Sequence, residues 1–120
     1  MNEAEWHEDA RSAADAALQA VASSEPAEAV AELSRASKLI DDALREAMAA
    51  AVLDGSSMRK VAEIAGIAPN SVPPRLARSK PLAPYVDDGT ITADSIMMAR
   101  YDAATGRPPM KFMPRRKDAS

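Results

Sequence analysis

The chain has 120 residues, of which 47% are hydrophobic and only four are aromatic: Trp6, Tyr85, Tyr101 and Phe112. That is enough for one compact domain or a small domain with arms, and much of the apolar content is alanine, which buries little area per residue. There is no cysteine, so disulfides, thiolate zinc sites and cysteine nucleophiles are excluded. The net charge of −3 hides an asymmetry: residues 1–54 carry 4 basic against 12 acidic side chains, and residues 55–120 carry 11 against 6. The second half is therefore the one suited to a polyanion.

The first residues are acidic where a signal peptide would be basic and then apolar. No apolar run approaches the ~18–20 residues of a membrane span. The expected location is the cytoplasm, with no membrane partner.

In chain order, Asn2 to Ala22 predicts a helix. Trp6, Ala10, Ala13, Ala14, Ala17, Leu18 and Val21 recur at three- and four-residue steps, which places them on one side. Glu3, Glu5, Glu8 and Asp9 suit the positive end of its dipole. Ser24 is a natural N-cap for a second helix, with Pro26 in its first turn. That helix should run from about Glu25 to Leu53, with an apolar stripe of Val30, Leu33, Ala36, Leu39, Ile40, Leu44, Met48, Ala51 and Val52. It would be ~40 Å long, more than a small helical core needs. Its N-terminal half must pack on the first helix, on a second subunit, or on both. Gly55 suits the left-handed position that ends it.

Ser56 and Ser57 can cap a third, short helix through Ala65, and a fourth lies between Ser71 and Ser79. Asp87-Asp88-Gly89 is a turn signal, Thr90-Ile91-Thr92 reads as a brief extended stretch, and Thr92 can cap a fifth helix to about Ala104, ended by Gly106. Residues 107–120 contain Pro108, Pro109 and Pro114 among Arg107, Lys111, Arg115, Arg116 and Lys117 and read as an extended basic tail. The fold class is thus all-α. An acidic helical hairpin spans 1–54, with its second helix shared with the following core. A helical motif follows at 55–80, a loop and helix at 81–106, and the basic tail at 107–120.

The segment Ser57 to Arg78 carries the most information. Val61 and Ala65 are placed to face a core, and Ala62 lies where two helices cross and only a small side chain fits. Gly66 ends the first helix in a conformation that a β-carbon disfavours. Ile67 and Val72 plug the corner, and Leu76 anchors the second helix. This spacing, Ala-X-X-Ala-Gly-Ile with Val six and Leu ten residues after the glycine, resembles the helix-turn-helix of small bacterial and phage DNA-binding regulators. The likeness covers about 22 residues, or about 40 (roughly 40–78) if the preceding helix is the scaffold helix of a trihelical core.

The resemblance implies that the second helix of the motif enters the major groove of double-stranded DNA. It also implies a transcriptional regulator, expected to be a homodimeric repressor associated with the nucleoid and needing no cofactor. The sequence departs from the family where base-reading side chains are usual, because Pro73 and Pro74 occupy those positions. A helix starting near Pro69 would carry Pro73 in its interior at a cost of ~3 kcal/mol. The start should therefore shift to Ser71 or Pro73, with Pro74 in the first turn. Arg75 and Arg78 then fall on a short exposed helix, where arginine can pair with a guanine edge or grip phosphate. Asn70 and Ser71 are placed to approach adenine or phosphate, and Arg59, Lys60 and Lys80 to contact phosphate. Arg115, Arg116 and Lys117 on a free arm would follow a minor groove or the backbone.

Catalytic signatures are missing. His7 is the single histidine, which precludes a multi-histidine metal site, and Asp41, Asp42 and Glu46 read as a solvated polar face of the second helix. The chain reads as a non-enzyme with no metal. Two alternatives stand beside the regulator. One is an interaction protein, such as a phage or mobile-element accessory factor, that keeps the helix-turn-helix as a scaffold and binds a protein through its acidic helices. The other is a non-specific architectural DNA binder that uses the basic tail.

Overall fold

The computed structural model describes residues 5–106, which are all-α. Five α-helices follow one another: α1 (Glu5–Ala22), α2 (Pro26–Leu53), α3 (Met58–Ala65), α4 (Val72–Ala77) and α5 (Ala93–Thr105). Single 3₁₀ turns lie at Pro69–Ser71 and Ala83–Tyr85. The described residues contain no strand, and the stretch around Thr90 contributes one isolated bridge, Asp87 to Thr90. The basic tail and its Arg115, Arg116 and Lys117 lie outside the described residues. The chain forms two compact units, residues 1–47 and 48–120, and the boundary falls inside α2.

The first unit is the helical hairpin of α1 and the longer part of α2. Its core is almost entirely alanine: Ala13 and Ala16 from α1, Ala36 and Ala43 from α2, all buried. Small side chains let the two backbones approach but remove little apolar surface from water. The larger residues of the expected stripe behave differently. Val30, Leu33 and Ile40 are exposed, as are Leu18 and Val21 on α1. In the turn, Ser23 rather than Ser24 reaches the start of α2. Its Oγ accepts from the Glu25 N–H at 3.2 Å and donates to the Glu28 carboxylate at 3.2 Å. Near the N-terminus, the His7 ring meets Trp6 edge-on, with centroids 4.1 Å apart.

Glu46 corrects the expectation of a solvated acidic face. It is only 3% exposed, because at helical spacing it continues the buried positions Ala36 and Ala43 and the half-buried Leu39. Its carboxylate accepts from Arg45 Nε at 3.1 Å, while Arg45 Nη1 donates to Asp42 at 3.0 Å. Desolvation works against the charge on Arg45, but the hydrogen bonds to Glu46 and Asp42 outweigh it and hold the guanidinium pKa above its ordinary value.

In the second unit the helix ends follow local chemistry closely. α2 stops at Gly55, whose φ is +117°, and the Ser56 N–H reaches back to the Ala51 carbonyl at 3.0 Å, the long-range bond of a Schellman ending. α3 starts on Ser57, whose hydroxyl accepts from the Lys60 N–H at 3.0 Å. α5 opens with a full capping box, in which Thr92 Oγ1 accepts from the Ser95 N–H and Ser95 Oγ accepts from the Thr92 N–H.

The core of this unit gathers Met48, Val52, Val61, Val72, Leu76, Leu82, Tyr85, Ile91 and Ile96, all buried. α5 is turned against the usual rule. Ser95 and Asp102 are buried while Met97, Met98 and Tyr101 are exposed. The burial of Asp102 has a partner to justify it: the Tyr85 hydroxyl donates to its carboxylate at 2.6 Å, out of water. This bond ties the 3₁₀ turn at Ala83–Tyr85 to the last turn of α5.

Replacing Tyr85 by Phe keeps the ring but strands a buried carboxylate, which should cost about 1–3 kcal/mol. Urea unfolding would show this as a lower midpoint with an unchanged slope. An unchanged midpoint would mean that the hydrogen bond contributes nothing net.

Candidate nucleic-acid interface

The segment Ser57 to Arg78 folds as α3, a turn, the 3₁₀ turn Pro69–Ser71 and α4. Gly66 makes the turn possible. Its φ is +75°, a left-handed conformation that costs a residue with a β-carbon ~1–2 kcal/mol. The Gly66 and Ile67 N–H groups both reach the Ala62 carbonyl, at 2.9 and 3.1 Å. On α3, Val61 and Ala62 are buried and Ala65 is half-buried, as is Ile67 in the turn that follows. Val72 and Leu76 on α4 are fully buried.

Proline decides the shape of α4. Its first residue is Val72, with Ser71 at the N-cap position, and Pro73 and Pro74 fill the rest of the first turn. Both prolines therefore sit where a missing N–H loses no helical hydrogen bond. Ser71 makes no side-chain cap bond, and the Val72 N–H is already used by the Pro69 carbonyl. The helix has six residues, so it is ~9 Å long. Its start offers few backbone donors, and any phosphate contact there falls to side chains.

The end of α4 is just as firmly closed. Ser79 is buried, and its hydroxyl donates to the Leu76 carbonyl at 2.7 Å. The Ala83 N–H then bonds to the Ser79 carbonyl at 2.9 Å, which turns the chain away before Pro84.

With Val72 and Leu76 inward, the outer line of this segment runs through Asn70, Pro74 and Arg78, all exposed and four residues apart. Ser71 and Arg75 form the adjacent line and are half-buried. Arg75 is thus less open than a short exposed helix would leave it. Arg59 and Lys60 are exposed on α3, and the Lys60 ammonium lies 3.9 Å from the Glu63 carboxylate. Lys80 is exposed just past α4. The segment therefore presents Arg59, Lys60, Asn70, Arg78 and Lys80 to solvent, with Ser71 and Arg75 partly withdrawn.

One supporting residue had no distinct signal in the sequence. Arg100 on α5 reaches back to the corner between α2 and α3. Its Nε donates to the Val52 carbonyl at 3.0 Å and its Nη2 to the Ser56 carbonyl at 3.2 Å. A cation at this place satisfies carbonyls at the end of α2 and complements its dipole. The partners lie 48 and 44 residues away in sequence, so only its placement near a helix middle is local information. No group of three or more potential metal ligands occurs among the described residues. No helix among them is long and apolar enough to cross a membrane.

Arg100→Met keeps most of the apolar stem and removes both hydrogen bonds. Thermal unfolding should register a loss of about 1.5–3 kcal/mol. Amide exchange at Ser56 and Ser57, at the start of α3, should accelerate, and slow exchange retained there would show that Arg100 does not hold the corner. No protein-family model matches the chain, and comparisons with curated proteins and with solved structures return no match.

Proposed function

We propose that this protein is a sequence-specific DNA-binding regulator of transcription, that residues 57–78 act as its helix-turn-helix, and that it works as a homodimeric repressor. The observation that carries the reading is the pairing of a buried apolar corner with an exposed polar and cationic line. Val61, Ala62, Val72 and Leu76 are buried, while Asn70, Pro74 and Arg78 face outward on the element that would meet the groove. The positive balance of residues 55–120 favours the same partner.

Each contact has a distinct role in this reading. Arg78 pairs with a guanine edge or a phosphate, and Asn70 with adenine. Pro74, an apolar surface between them, suits a thymine methyl group better than any hydrogen-bonding edge. Arg59, Lys60 and Lys80 neutralise phosphates and set the register. Arg75 extends past its half-buried stem to the same surface. As a dimer, two such units would address half-sites ~34 Å apart.

The two prolines favour a second reading. They remove backbone donors from the start of α4, and so remove part of the phosphate grip on which many helix-turn-helix units rely. In that reading the motif is a scaffold, and the protein acts through protein contacts.

A selection from random DNA, followed by gel shifts at several salt concentrations, tests the regulator. It should yield a defined site whose affinity falls steeply with salt. Arg75→Ala combined with Arg78→Ala should weaken that site at least tenfold and make the salt dependence shallower by roughly one to two charges. Undiminished binding by the double variant would remove α4 as the reader, and no binding to any fragment at low salt would favour the scaffold reading.

A further inference from the structure

The hairpin of the first unit has one polar side and one apolar side, and much of the apolar side is uncovered. On α2, Val30, Leu33, Ser37, Ile40, Leu44 and Ala47 recur at alternating three- and four-residue steps, the seam spacing of a helix that packs on another helix. None of the six is charged. Val30, Leu33 and Ile40 are 67%, 53% and 55% exposed. On α1 the matching line is Trp6, Ala10, Ala14, Ala17 and Val21, also uncharged, and Val21 is 81% exposed. The two lines meet in an open groove of about 420 Å³ lined by Trp6, Ala10, Ala14 and Ala17 on one side and by Ile40 and Leu44 on the other.

We infer that this face is covered by the same face of a second copy of the chain, making a four-helix bundle in which the aliphatic ridge of each α2 lies in the alanine furrow of the other copy's α1. Three observations select this occupant. First, the face is self-complementary: a ridge of branched side chains runs beside a furrow of small ones. A two-fold axis parallel to the helices carries each ridge onto the other's furrow, as an isologous contact requires. It also leaves every helix antiparallel to its neighbours, the arrangement of an ordinary four-helix bundle.

Second, the area suffices. Val30 to Ala47 spans ~26 Å, and two helices side by side are ~20 Å wide. The flat footprint is on the order of 500 Å² per copy, and interdigitated side chains raise the buried area towards the ~800 Å² per partner of a specific interface.

Third, charge selects against the common alternatives. Residues 1–54 carry 12 acidic against 4 basic side chains, which disfavours nucleic acid or an anionic membrane as the cover. Those charges lie off the apolar lines, so two copies can meet without setting like charge against like charge.

This names the surface behind the dimeric reading of the proposed function, but it rests on the hairpin alone and is tested without DNA. Sedimentation equilibrium of the full chain should give twice the 12.7 kDa chain mass. Val30→Glu combined with Ile40→Glu should give the single mass with unchanged helical circular dichroism, since both side chains are already exposed in the single chain. Ala31→Glu, on the polar side of the same helix, should remain a dimer.

Because the chain has no cysteine, Ser24→Cys in the hairpin turn takes a single spin label. Tips at the same end of the bundle lie no more than ~11–14 Å apart, the diagonal of four helices spaced 8–10 Å. Tips at opposite ends separate the labels by ~27 Å or more, the length of α1. A monomeric wild-type protein at millimolar concentration would overturn the inference and leave the face to a different protein. A double variant that stays dimeric, or labels at the long distance, would overturn it equally. A dimer that binds no DNA would sink the regulator and leave this inference standing.

Discussion

Val72 and Leu76 lie one helical turn apart, and both are fully buried. On a helix of six residues this pair alone fixes the rotation of the element, and the exposure of its neighbours follows from it. Asn70, Pro74 and Arg78 point outward because they occupy the opposite line, and Arg75 is half-buried because it neighbours Leu76. The pair also explains how two successive prolines are tolerated. They occupy the first turn because the helix starts at Val72, and burial of the Val72 side chain favours a start there. A start one turn earlier would put Pro73 inside the helix.

The caps and turns were legible because they are local. Gly55, Gly66 and Gly106 stand where left-handed residues end helices, and Ser57 and Thr92 stand where a hydroxyl can serve the first free N–H groups. The proline constraint narrowed the start of α4 to Ser71 or Pro73 for the same reason, and Ser71 holds the N-cap position. The buried polar residues were not legible. Glu46 and Asp102 fall at buried positions of their helices, yet an acidic residue in such a place reads as a solvated side chain until its partner is known. Arg45 is adjacent to Glu46 and could have suggested a pair. Tyr85 is 17 residues from Asp102, and nothing in the local pattern links them. The degree to which Val30, Leu33 and Ile40 stay exposed was equally hidden, because periodicity tells which residues share a side but not whether anything covers it.

The alanine core of the hairpin and its exposed aliphatic ridge have one cause. Alanine at Ala13, Ala16, Ala36 and Ala43 lets α1 and α2 approach closely, but each such residue removes only about one methyl group from water, worth ~0.8 kcal/mol per buried carbon. The side chains with more to gain from burial, Leu18, Val21, Val30, Leu33 and Ile40, are the ones left outside. A hairpin built this way holds its own shape with its small residues and leaves its large ones exposed, where the proposed pairing of two copies would cover them.

The two chemical halves of the chain make that division consistent. An acidic surface on the hairpin discourages contact with a polyanion, so a DNA partner would be directed to the basic half. With Pro73 and Pro74 removing backbone donors from the start of α4, any such attraction would rest on side-chain cations such as Arg59, Arg78 and Lys80. Point charges on flexible stems give affinity and salt dependence more readily than they give discrimination between bases. Discrimination would then depend on the few groups held by the buried corner, Asn70, Pro74 and Arg78, and on the spacing that pairing two copies imposes. In the proposed reading, a weakly specific reading element would make self-association more consequential for function, since two modest half-sites at a fixed separation would recover the selectivity that one short helix lacks.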